Sequence, residues 1–169
     1  IAAAREIQKR TKCIWVILGG KADVLLANEI ETATAGGQAG VINLAGKTSL
    51  RELCAVIQQC RVLLTNDTGP MHIAAALGRP VVVPFGSTSP ELTGPQSAPG
   101  VRHQLIKSDA ACAPCFLREC PIDFRCMNGI GVEQVIEAVL TTILTTDGHE
   151  YTRIETNTSS VLICVHPWF

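Results

Sequence analysis

Residues 65–72 read TNDTGPMH, which gathers a carboxylate, hydroxyls, a glycine, a proline and an imidazole into one short stretch. The aliphatic run RVLL precedes it and the alanine-rich run IAAALG follows, so the polar stretch sits where a strand gives way to a helix. The first amides of a helix have no intrahelical partner, and the helix dipole places partial positive charge beside them. Such a terminus is an anion site, most naturally for phosphate. Each residue then has a role. Gly69 lacks a Cβ and lets a phosphate approach the backbone. Thr68 adds a hydroxyl donor, Pro70 presets the first helical φ, and His72 stands in the first turn. Phosphate repels Asp67, whose expected partner is the helix as a cap, a sugar hydroxyl or a cation. The plainer alternative is that Asp67 or Thr68 merely caps the helix and His72 is a partly buried helix residue.

A second group with chemistry in it is CAPCFLRECPIDFRC, which sets Cys112, Cys115, Cys120 and Cys126 in one loop. The first pair has good zinc-ligand spacing and four thiolates can close a tetrahedral site, but the second pair is spaced too widely for a full match to known zinc patterns. Zinc, reduced thiols in a packed loop, and disulfides all remain open on spacing alone. Cys13, Cys54, Cys60 and Cys164 lie among aliphatic residues and read as small buried hydrophobes.

The elements that must position these groups follow from periodicity. Residues 13–20, CIWVILGG, form a continuous apolar run ending in glycines, as a strand buried on both faces does. Residues 22–35 carry apolar side chains at helical spacing, with Gly36 and Gly37 to stop them. A short strand is expected over 40–46, then a helix with Thr48 or Ser49 as N-cap. Strands follow over 61–66, 79–86 and 102–108, with a helix over 70–78 after the polar stretch and a closing helix over 131–144. Strands alternating with helices on short connections give a parallel sheet with helices on both faces, a Rossmann-like α/β domain. The loop GSTSPELTGP, residues 86–95, leaves the fourth strand at the same edge, so Ser87, Thr88 and Ser89 can also donate to a phosphate or sugar; the plainer alternative is a rigid turn bounded by prolines. The polar run over 152–160 can serve as a linker and the apolar residues 161–169 can add a strand or dock in a groove, but the preferred reading is a tail that packs on the domain.

The 169 residues suit one domain, and 47% hydrophobic content supports a well-buried core. A net charge of −1 supplies no global attraction to nucleic acid or an anionic membrane. No apolar run reaches the ~18 residues of a membrane span. The eight cysteines in so aliphatic a chain point to a reducing cytoplasm and not a secreted disulfide scaffold. The opening residues, IAAAREIQKRTK, read as the interior of an amphipathic helix, so the chain is expected to be the C-terminal part of something longer.

The run TNDTGPMHIAAALGRPVVVPFGSTSPELTGP resembles the signature of the ADP-heptose:lipopolysaccharide heptosyltransferases, glycosyltransferase family nine, and the likeness extends over residues 14–140. The resemblance implies a GT-B enzyme with two Rossmann-like domains, of which residues 1–146 would be the nucleotide-sugar-binding one, with a Cys-rich loop at 112–126 and a tail at 147–169. It implies that Asp67, Thr68, Gly69 and His72 lie against the donor diphosphate and sugar, that Asp23 meets the adenosine ribose, and that Thr48 is a nucleotide contact. The expected partners are an ADP-sugar, such as ADP-heptose, and a lipopolysaccharide-core acceptor held by an N-terminal domain. The catalytic base would lie in that domain, so no catalytic residue is expected here and the chain alone should be inactive. Transfer is expected to invert the anomeric centre and to need no metal, with the work done at the cytoplasmic face of the inner membrane. Two other readings stand beside this one. A non-catalytic nucleotide-binding or zinc-stabilised interaction module would keep the fold without the reaction. A dinucleotide oxidoreductase is disfavoured, because no G-x-G-x-x-G follows the first strand.

Overall fold

The computed structural model describes residues 1–35, 40–145 and 162–165. Helix α1 (Ala2–Thr11) leads into strand β1 (Ile14–Ile17), and a 3-10 turn at Lys21–Asp23 opens α2 (Val24–Ala35). Then come β2 (Val41–Asn43), α3 (Leu50–Gln59), β3 (Val62–Leu64), α4 (Gly69–Ala76) and β4 (Val81–Phe85). The one-turn helix α5 (Pro90–Thr93), β5 (Gln104–Lys107), the short α6 (Arg125–Asn128), α7 (Val132–Thr145) and β6 (Leu162–Val165) complete the described elements.

All six strands lie in one parallel sheet of order β2-β1-β6-β3-β4-β5. The expected parallel sheet with helices on both faces is therefore what forms. Alternation along each strand sorts the core into two layers. Val16, Leu18, Leu63, Val81, Val83 and Phe85 pack against α3 and α4 through Ile57, Met71 and Ala74. Trp15, Val62, Val82 and Ile163 face the other way, against Ile7 of α1 and Ile136, Val139 and Ile143 of α7. Trp15 also donates its indole N–H to the Ala4 carbonyl at 3.1 Å, which ties α1 to the sheet.

One element departs from expectation. Leu162–Val165, read from the sequence as part of a packing tail, is a strand at the middle of the sheet. It pairs with β1 on one side and β3 on the other, and Ile163 is fully buried. Doubly wound sheets usually run 3-2-1-4-5-6, and here the last strand in sequence takes the place of the first. The rest of the predicted tail, and the Gly36-Gly37 stop, lie outside the described residues. A second departure is Cys60, which is buried as expected but disulfide-bonded and not a reduced thiol. Cys13 and Cys54 are free, Cys13 being buried, and the Cys164 side chain lies outside the described residues.

Candidate functional site

The polar stretch lies at the carboxyl end of β3, immediately beside the β6 strand. From this point the chain winds outward in both directions, through β1 and β2 one way and β4 and β5 the other. A crevice opens at such a switch point, and ligands of open α/β sheets bind there. Pro84 helps to open it. Having no N–H, it cannot extend the β3–β4 ladder, whose pairs stop at Leu64↔Val82. The Thr65 amide still donates to the Val82 carbonyl at 3.1 Å, and residues 66–68 are then free to turn into α4.

Thr68 is the N-cap of α4 by position, in extended backbone, yet its side chain accepts no bond from the helix. The hydroxyl lies instead 3.3 Å from that of Thr65 and donates weakly to the Asn66 carbonyl at 3.4 Å. The first turn thus has no side-chain cap. Gly69 is exposed, and a Cβ placed on it would meet nothing within 4 Å. Pro70 stands in the first turn, and His72 is exposed on it. Asn66 is buried with its side-chain oxygen unpaired among the described residues. Asp67 does not cap the helix, which corrects the first of its expected partners. Its Oδ2 accepts a hydrogen bond from the Thr93 hydroxyl at 2.5 Å. Thr93 escapes sequence reasoning because it lies 26 residues away on the single turn of α5.

The remaining candidates fall around the same edge with different roles. Asp23 accepts a bond from the Gly20 amide at 2.7 Å and so closes the turn that opens α2. Thr48 is not the cap of α3. Ser49 takes that place in a reciprocal box with Glu52, whose carboxylate accepts from the Ser49 amide at 2.7 Å. That bonding holds the Glu52 carboxyl below its ordinary range. Thr48 itself is half-buried and makes no hydrogen bond among the described residues. Ser87 and Thr88 are half-buried in the loop after β4, and the Ser87 carbonyl accepts from the Phe116 amide at 2.8 Å. The cysteine loop is therefore docked on the same edge.

Cys112, Cys115, Cys120 and Cys126 are all reduced. Cys126 is buried beside Gly86, and burial, followed by the charges of its three neighbours in the loop, pushes its thiol up. Cys120 accepts a bond from the Phe124 amide at 3.3 Å. Among the described residues no group of three or more Cys, His, Asp or Glu is arranged to hold a metal ion. The four sulfurs as placed do not fit a zinc site.

An apolar cavity of about 560 Å³ is lined by residues such as Trp15, Ile30, Leu64, Val135 and Val165 and by none of residues 65–72. Its walls suit neither a diphosphate nor a sugar. The polar stretch is the better site, because an open helix terminus, a glycine facing empty space and a fixed carboxylate converge there.

The family model for "Glycosyltransferase family 9 (heptosyltransferase)" matches residues 2–124. The chain belongs to glycosyltransferase family 9. Family 9 relatives include lipooligosaccharide heptosyltransferase 2 of Campylobacter jejuni, 35% identical over 127 residues, which cover 75% of this chain and 40% of the relative. Lipopolysaccharide heptosyltransferase 2 of Escherichia coli is 41% identical over 104 residues, 57% of this chain and 30% of the relative. Among solved structures, that of E. coli ADP-heptose lps heptosyltransferase II superposes with a TM-score of 0.71 at 29% identity, covering 87% of this chain and 41% of that one. The chain thus spans about 40% of the length of the first of these relatives. No helix among the described residues is long and apolar enough to cross a membrane.

Proposed function

We propose that the chain is the donor-binding part of a heptosyltransferase acting in lipopolysaccharide-core synthesis, and that it grips an ADP-heptose diphosphate at the start of α4. The observation that carries this reading is the uncapped first turn of a helix whose Gly69 faces open space, in a family 9 chain. The turn's amides, the Thr68 hydroxyl and the exposed His72 receive the diphosphate, and Asp67 receives a sugar hydroxyl. Asp23, Thr48, Ser87 and Thr88 lie on the surrounding loops as further contacts to the nucleotide.

The chemistry asked of these groups is electrostatic. As an acceptor hydroxyl attacks the anomeric carbon from the far face, the bond to the diphosphate breaks and its electron pair leaves with the phosphate oxygen. Fixed donors at a helix N-terminus stabilise that growing charge without reorganising. The leaving charge is then met without a metal. The acceptor's proton passes to a general base in a partner domain that also holds the lipopolysaccharide-core acceptor. The product sugar carries the inverted configuration. An acceptor in the lipopolysaccharide core puts the enzyme's work at the cytoplasmic face of the inner membrane.

Calorimetric titration with ADP tests the reading, with UDP and NAD as controls. Selective ADP binding that His72→Ala weakens is the expected result. Equal affinity for all three nucleotides, or ADP binding indifferent to every substitution in residues 67–72, would overturn it.

A further inference from the structure

We infer that Thr93 is a positioning residue for Asp67, and that it thereby sets the preference for a sugar-bearing nucleotide over bare ADP. This rests on the reading of Asp67 given above. A carboxylate beside a diphosphate is electrostatically unfavourable, and Asp67 does not cap α4, so neither anion binding nor helix capping accounts for its place. Its Oδ2 is taken by Thr93 at 2.5 Å. Its Oδ1 receives no hydrogen bond from any described residue and is the oxygen left for a ligand hydroxyl.

The Thr93 hydroxyl has one proton and two acceptors within reach, Asp67 at 2.5 Å and the Ser89 carbonyl at 3.0 Å. The charged oxygen at the shorter distance takes it. A carboxylate held by one oxygen no longer spins freely about its terminal torsion, so Oδ1 keeps one direction.

The turn that carries Thr93 is itself bonded at its other end. The Ser89 hydroxyl donates to Glu91 Oε2 at 2.5 Å, and Lys107 at the end of β5 donates to Glu91 Oε1 at 2.7 Å. Lys107 first and Ser89 second hold the Glu91 carboxyl down to about 2. Within the turn, the Thr93 and Gly94 amides donate to the Ser89 and Pro90 carbonyls at 2.9 and 3.0 Å. A continuous line therefore runs from β5 through Lys107, Glu91 and Ser89 to Thr93 and Asp67. It joins the loop after β4 to the loop after β3.

The test compares affinities for ADP-heptose and ADP by calorimetry in the wild type, Thr93→Val, Thr93→Ser and Asp67→Asn, and in Asp67→Asn combined with Thr93→Val. Melting temperatures are recorded alongside. The expected result is that Thr93→Val reduces the ADP-heptose to ADP affinity ratio by about tenfold, the scale of one charge-assisted hydrogen bond. Thr93→Ser restores the ratio, and Thr93→Val has no further effect on it once Asp67 is Asn. If the wild type prefers ADP-heptose and Thr93→Val keeps the same ratio, the inference fails while the proposed function stands. It fails equally if both affinities fall together with the melting temperature. A wild type that binds neither nucleotide removes the proposed function and this inference with it.

Discussion

Replacing Gly69 by alanine should move stability and ligand affinity in opposite directions. The added Cβ meets no atom within 4 Å, and Gly69 is the first residue of α4, at an ordinary negative φ. Alanine there relieves the backbone entropy that glycine loses on folding, a gain of about 0.5–1 kcal/mol in a helix. At the ~2–4 °C per kcal/mol typical of larger domains, the melting temperature should rise by a degree or more. The same methyl fills the open space through which a phosphate oxygen would reach the first amides. Losing even one charge-assisted hydrogen bond costs about 1.5–3 kcal/mol, or at least tenfold in affinity. Scanning calorimetry and ADP titration on the same sample give both numbers. A higher melting temperature with full ADP affinity would refute the placement of the diphosphate, because only a ligand standing over Gly69 can make the methyl harmful.

Three other expectations concern the scaffold. Ser49→Ala breaks the capping box with Glu52 and should cost about 0.5–2 kcal/mol in urea unfolding, with nucleotide affinity unchanged. Met71 is fully buried behind the first turn of α4, and Met71→Ala should cost about 2–5 kcal/mol by the same measurement. His103 accepts the Val81 amide on Nδ1 at 3.2 Å, and burial lowers its pKa below the ordinary 6.5. Its contribution to stability is therefore complete above pH 6.5 and is lost as pH falls through the folded value, since the unfolded chain binds the proton first. Urea midpoints between pH 7 and 5 should fall in the wild type, and His103→Asn should flatten that dependence on pH.

Most of the architecture is local and hence legible in the sequence. The aliphatic runs that become β1, β3 and β4 and the periodic stretches that become α2, α3 and α7 each carry their own signal. What escaped the sequence is non-local or too short for a period. Strand β6 has only a handful of apolar residues, and nothing near them tells that they slip between β1 and β3. Helices α5 and α6 are single turns, in which no periodicity can develop. The place of Asp67–Gly69 and His72 at a strand-to-helix junction was readable, because the aliphatic runs on either side carry their own signal. The choice between Thr48 and Ser49 as cap stayed open in the sequence reading, although Glu52 stands at capping-box spacing from Ser49. Thr93 was not readable, because a hydroxyl in a loop becomes informative only when folding brings it to a carboxylate.

The middle place of β6 also governs how the molecule can assemble. Until that strand arrives, β1–β2 and β3–β4–β5 are two ribbons with no ladder between them, each with an open edge where β6 will pair. The contact that unites them joins residues 14–17 to residues 162–165, nearly the greatest separation in the chain. Closure over such a distance is slow, and unpaired parallel edges invite pairing with other chains meanwhile. During synthesis, strands β1 to β5 must therefore wait, half-built, for residues 162–165 to emerge. A chain stopped after residue 145 should carry both ribbons and aggregate through them, however complete its polar stretch.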